Sequence, residues 1–191
     1  MGMDKTNVCR KALQLFCNSE YKQGTAEGRA CDLWWADAVR QGCARYGWSF
    51  TRREVVLVGR LCEDGAQFRE FVLPDDCIRV VRVCAPGRLE ELEVEMMVGR
   101  RMLLPRAAGE RVCVFYQSDL SVFEGCLPQE RAFFCKGVVC LLASMVCGVV
   151  DVSYAGLRQG FEEAAERAFQ QEIFADAAQV RRVRKVMKVG R

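Results

Sequence analysis

The sequence of 191 residues contains no histidine. That excludes Ser-His-Asp and Cys-His catalysis and any histidine-ligated zinc, iron or copper site. Proline is also scarce, with 4 residues, and only 16 glycines accompany them, so long disordered linkers are not expected. No apolar signal core marks the polar stretch Met1 to Lys11. The longest uncharged run, Gly137 to Val150, falls short of the roughly 20 apolar residues a membrane span needs, and reads as the central buried helix of a core. Neither GxxxxGK[ST] nor GxGxxG occurs, so Lys5, Lys11, Lys22 and Lys136 lie in no phosphate loop.

What is present in excess is cysteine, with 12 residues. None is spaced as CxxC, which argues against a zinc ribbon or a thioredoxin-type site. Many sit inside apolar runs such as Val138-Val139-Cys140-Leu141-Leu142, where cysteine behaves as a small hydrophobe. The expectation is free, mostly buried thiols in a reducing compartment, not a disulfide scaffold. A cysteine nucleophile without a histidine base is the remotest functional class considered.

Charge is unevenly spread. Overall 28 basic and 25 acidic side chains give +3, yet residues 181–191 carry six basic groups and no acid. Setting those six aside leaves 22 against 25, so residues 1–180 carry −3. A basic tail on a mildly acidic body points to nucleic acid, an acidic membrane or an acidic groove on a protein partner, or to a solvated terminus.

Periodicity organises the chain as helices, then strands, then helices. Residues 7–17 place Val8, Ala12, Leu15 and Phe16 on one helical face. A second helix over 26–46 carries the stripe Ala30, Leu33, Trp34, Ala38 and Tyr46, and Gly47 stops it. Short β-rich runs follow at 54–58, 67–73, 78–83, 91–98, 101–104 and 111–116, separated by Asp64-Gly65, Pro74-Asp75, Pro86-Gly87, Gly99, Pro105 and Gly109. Gly99 marks a hairpin tip. Helix returns over 129–150 and 155–178, the latter with Leu157, Phe161, Ala164, Ala165 and Ala168 on its apolar side. The expected fold is α+β: a four-helix bundle with a small antiparallel β-sheet inserted between helices 2 and 3, followed by a basic C-terminal tail. In residue terms this is one domain, 1–180, with helices over 7–46 and 129–178, an inserted sheet over 48–116, and a tail over 181–191.

No catalytic constellation assembles. Asp75 and Asp76 follow Pro74 as turn residues, since neighbours on an extended chain point to opposite faces. Glu91, Glu93 and Glu95 share one face of a strand; a solvated or phosphate-repelling surface suits them better than a divalent-metal row. Trp34, Trp35 and Trp48 read as core and interface anchors. No metal or cofactor is expected, and no enzymatic activity.

Trp48-Ser49-Phe50-Thr51-Arg52-Arg53, then Phe71-Val72-Leu73-Pro74-Asp75-Asp76-Cys77-Ile78-Arg79-Val80, form a recognisable order of motifs. Phe115-Tyr116-Gln117-Ser118-Asp119, Phe123 and Phe133-Phe134 continue it. Over residues 8–180 the chain resembles the head-to-tail adaptor (connector) proteins of tailed bacteriophages, in particular the tail tubular protein A family of podoviruses. Thr51 stands where that family usually has alanine. The resemblance implies a structural virion protein at the head–tail junction, assembled in the host cytoplasm. It would form a ring, typically dodecameric, beneath the portal protein, extend the channel for genomic DNA, and meet a downstream tail or nozzle protein, with no membrane partner. It also implies portal docking by the C-terminal segment, carried here by Arg181, Arg182, Val183, Arg184, Lys185, Lys188 and Arg191. Trp48, Phe50, Arg52, Leu73, Pro74, Asp76 and Arg79 would serve as scaffold. The alternative is a small nucleic-acid-binding protein that lays the basic tail on phosphates.

Overall fold

A computed structural model of the chain describes residues 3–62, 67–88, 90–120 and 126–189, with side chains as far as Val180. The Asp64-Gly65 turn, Phe123 and Arg191 lie outside the described residues. The chain divides into two compact units, one built from Met1–Ser49 with Leu120–Arg191 and the other from Phe50–Asp119.

The first unit is helical: α1 (Lys5–Gln14), α2 (Ala26–Ala44), α3 (Ala132–Val150) and α4 (Arg158–Val189). A two-stranded sheet pairs β1 (Met3–Asp4) with β9 (Cys126–Leu127). Local chemistry sets the first two helix starts. Asp4 accepts from the Asn7 amide at 2.7 Å, and Thr25 Oγ1 from the Gly28 amide at 3.1 Å, each satisfying an orphan donor of a first turn. Helix α3 is the hub and packs on α1, α2 and α4. It is long and apolar enough to cross a membrane by length and composition, but 67% of its most apolar window is buried inside this unit. Gly137 lets α4 approach: a Cβ there would collide with the Phe169 ring. The same ring lies 6.2 Å from Trp48 and 5.9 Å from Phe134.

The second unit holds β2 (Arg52–Val58), β3 (Arg60–Leu61), β4 (Phe68–Val72), β5 (Cys77–Cys84), β6 (Met96–Val98), β7 (Arg101–Pro105) and β8 (Arg111–Ser118). They form two antiparallel sheets, ordered β2-β8-β5 and β3-β4-β7-β6. Phe71, Met102 and Leu104 from one sheet and Val83, Val112, Val114 and Tyr116 from the other share a single core with Leu73. Gly59 alone separates β2 from β3, and a Cβ there would come within 2.5 Å of the Phe71 ring. Its lack of a side chain lets the chain pass between sheets over that ring. Gly99, at φ 57°, turns the β6–β7 hairpin as its position predicts.

The expected architecture is corrected in three respects. A four-helix bundle with one small sheet does not fit, because the described residues form a mixed fold with four helices and sheets of two, three and four strands. The physical reason lies in alternating strands such as β7, whose Met102 and Leu104 are buried between exposed Arg101 and Pro105. One layer leaves such a face bare, and a second sheet covers it. The 91–98 run is not one strand either. Leu92 donates its amide to Val83 at 2.8 Å and Glu95 to Leu103 at 3.1 Å, so this segment crosses from β5 to β7 before β6 begins. Finally, residues 181–189 are no separate tail but the end of α4, since Ala178 to Val189 contains no glycine or proline to stop a helix.

Smaller differences concern the helical stripes. Helix α1 ends at Gln14 and leaves Leu15 exposed, its buried face being Val8, Cys9, Ala12 and Leu13. In α2 the buried line runs through Cys31, Trp35, Ala38 and Val39, and Leu33 is 69% exposed. All 12 cysteines are free and eight are buried, as their apolar contexts predict.

Candidate functional site: an anchored helix with a basic end

Helix α4 presents Ala165, Ala168, Phe169, Glu172 and Asp176 inward. The spacing is that of one helical stripe, but its last two members are acids. Both carboxylates are almost wholly buried, at 3% and 4% exposure, and both face Arg131, itself 8% exposed. The guanidinium stands 3.4 Å from Glu172 Oε1 and 3.2 Å from Asp176 Oδ1. Such burial is tolerable only when each charge has a partner and each lone pair a donor.

Those donors come from the backbone. Arg131 offers no side-chain cap to α3, and Glu172 Oε2 takes the Phe134 amide at 3.2 Å, capping that helix from a neighbouring one. A carboxylate at a helix N-terminus also meets the positive end of the dipole. Asp176 accepts the Ser49 amide at 2.9 Å and the Ser49 hydroxyl. Residues 127 apart in sequence are thereby joined. The anchor fixes α4 at Asp176, and within the next turns the sequence becomes basic, with Arg181, Arg182, Arg184, Lys185 and Lys188. The backbone of these residues and of Val183 is helical. Valine recurs every third position among them, at Val183, Val186 and Val189.

The motif residues fall in different places. Trp48 is fully buried in the helical unit, donates from its indole to the Gly42 carbonyl at 2.9 Å, and meets Phe134 edge-on at 5.6 Å. Phe50 belongs to the 3-10 turn Ser49–Thr51, Arg52 opens β2 on an exposed position, and Leu73 lies in the β core. Pro74 accepts the Cys77 amide at 3.1 Å and so closes the turn into β5. Asp76 receives the Ser118 hydroxyl at 2.8 Å and the Tyr116 hydroxyl at 3.2 Å. Burial, and then the Asp76 carboxylate, push the Tyr116 phenol above its ordinary value. Arg79 is exposed on β5, opposite Gln117. Asp75 instead pairs with Arg100, so the two neighbouring acids do serve separate contacts.

Glu91, Glu93 and Glu95 are all exposed, with Leu92 and Val94 turned toward the core between them. A groove of about 490 Å³ runs between β5 and this segment, lined chiefly by Val80, Val81, Leu92, Val94 and Met97. Among the described residues no group of three or more potential ligands is placed to hold a metal ion. Sequence reasoning missed the Arg131–Glu172–Asp176 anchor. The signal was there: two acids stand in register with the apolar stripe of α4, where solvated acids do not belong. It also missed Arg82, whose guanidinium sits 4.4 Å from the Phe115 ring centre. No protein-family model matches the chain, and no curated protein matches it by sequence.

Proposed function

We propose that this protein is a structural head-to-tail adaptor: a subunit of a ring beneath a portal that continues the DNA channel toward the tail. The observation that carries the proposal is α4. Its middle is clamped by Arg131, Glu172 and Asp176, while its end holds the basic residues of the chain's strongly cationic segment. An anchored base with a cationic end suits insertion into an acidic groove on a partner, where orientation comes from the helix and capture from charge. The ordered motifs from Trp48 to Phe134 support the family reading. The net charge of −3 over residues 1–180 suits a channel wall that does not hold DNA phosphates.

The test is native mass under reducing conditions, with and without the portal ring of the same genome, for the full chain and for residues 1–180. The full chain is expected to convert from free subunits to a portal-bound ring. The truncated chain is expected to keep its tryptophan emission and helical circular dichroism but lose portal binding. Indifference to the portal, with duplex DNA binding that weakens steeply with salt, would overturn the proposal. Six phosphate contacts would then give a log–log salt slope of about −5. The basic end would be a phosphate-binding arm.

A further inference from the structure

We infer that Cys84 and Cys113 form a redox-active pair that closes to a cross-strand disulfide when the protein meets a small-molecule disulfide oxidant. The two residues lie directly opposite each other on the antiparallel strands β5 and β8. Opposed residues on such strands have Cα atoms about 4.5–5.5 Å apart. That falls within the roughly 4.4–6.8 Å a disulfide spans, so closure requires side-chain rotation and little backbone movement.

The Cys84 thiol already reaches β8, where its Sγ donates to the Cys113 carbonyl at 3.8 Å. On the other side of β8, the Cys113 thiol donates to Glu54 Oε1 of β2 at 2.9 Å. Burial and then this carboxylate push the Cys113 thiol up to about 12, which keeps it protonated at neutral pH. Cys84 is 3% exposed in the closed fold and becomes the point of entry when its end of β5 opens. It is the last residue of β5, an edge strand whose outer side is held near that end by the Leu92–Val83 hydrogen bond and the Cys84–Glu91 bridge. Strand ends at a sheet edge open more readily than a central strand such as β8.

The chemistry balances as follows. The Cys84 thiolate attacks one sulfur of the oxidant RSSR, breaking its S–S bond, forming Cys84–S–S–R and releasing RSH after proton uptake. Cys113 then loses its proton to solvent and attacks the Cys84 sulfur as the thiolate, expelling RS−, which takes up a proton to give a second RSH. Two protein thiols are oxidised, one small disulfide is reduced to two thiols, and the two protons the protein loses equal the two that the released thiolates take up. A second pair of cysteines, Cys9 and Cys31, is fully buried within the helical unit on α1 and α2. No strand end gives an oxidant access there.

The experiment exposes the folded, reduced full chain to oxidised glutathione, blocks the remaining thiols, and maps the unreduced digest by mass. A Cys84–Cys113 cross-link, lighter by two hydrogens and reversed by dithiothreitol, is expected before any other pair. In Cys113→Ser, glutathione should remain trapped on Cys84. Glu54→Gln, at an exposed position, removes the charge that opposes the Cys113 thiolate, so it should speed closure several-fold at neutral pH and move its pH profile to lower pH. Full alkylation of both cysteines after oxidation, earlier closure of Cys9–Cys31, or no adduct on Cys84 in Cys113→Ser would each overturn the inference. An unchanged pH profile in Glu54→Gln would overturn the part assigned to that carboxylate.

Discussion

The helical unit is assembled from both ends of the chain, whereas the β unit is one continuous segment, Phe50–Asp119. Their interiors differ accordingly. The apolar cluster of the β unit contains seven apolar side chains and Tyr116, whose hydroxyl reaches out to Asp76, and the unit's buried polar residues, Thr51, Gln117, Ser118 and Asp119, stand at the two ends of its segment. The helical core, besides its aromatic cluster, encloses a guanidinium and two carboxylates. A continuous segment with tight turns finds its partners locally, and strand alternation with short connections is enough to set register. Helices that must meet across more than a hundred residues can dock at several registers a turn apart. A buried charge set satisfied in only one of them discriminates between those registers, at a cost in desolvation.

The strongest way to break this comparison is Glu172→Ala. It leaves the Phe134 amide without its carboxylate and strips Arg131 of one partner. The helical unit should lose about 3–5 kcal/mol. All three tryptophans, Trp34, Trp35 and Trp48, lie in the helical unit, so urea unfolding followed by tryptophan emission reads that loss directly. Amide exchange in β8 should change far less than in α3. Equal changes would mean that the buried charges hold the whole molecule, and not the helical unit in particular.

The paired glycines sharpen the contrast with a smaller effect. Gly137→Ala drives a methyl group into the Phe169 ring, and Gly59→Ala drives one to 2.5 Å from the Phe71 ring. Each should cost about 1–3 kcal/mol by overpacking. Only the first should shift tryptophan emission, because Phe169 packs on Trp48. A matching shift from Gly59→Ala would contradict the division.

The gentlest test is alkaline pH. Burial, then the 2.9 Å hydrogen bond to Asp32, raise the Tyr21 phenol from 10.0 to about 12. A phenol that holds its proton more tightly when folded contributes stability that is complete below its unfolded pKa of 10.0. That contribution is lost as pH climbs through about 12. Tyr21→Phe should therefore flatten the alkaline fall in stability of the helical unit. The effect should be the smallest of the three, because the contact is near solvent. An unaltered slope would show that the thiols govern the alkaline limit.

Local elements of the fold were legible in the sequence, but its architecture of several sheets was not. The break before Thr25 and the glycine at position 99 identify a helix start and a hairpin because capping and left-handed turns are local events. The turn role of Pro74-Asp75 and the packing role of cysteine were legible for the same reason. The candidate site was legible only at its basic end, which is a matter of composition. Its anchor was not, because Glu172 and Asp176 read as solvated acids until Arg131, Ser49 and the start of α3 are brought against them.

By itself, then, the sequence determined the order of the helices, turns such as that at Gly99, which residues are apolar, and where positive charge collects. Tertiary structure alone decided that the strands form two facing sheets and not one, and that Leu33 stays in solvent while two carboxylates go inside. It also decided that Cys84 meets Cys113. The physical reason is that periodicity specifies a face but not what covers it. Which surface covers which is set by the sum of all the packings at once, and no local window contains that sum.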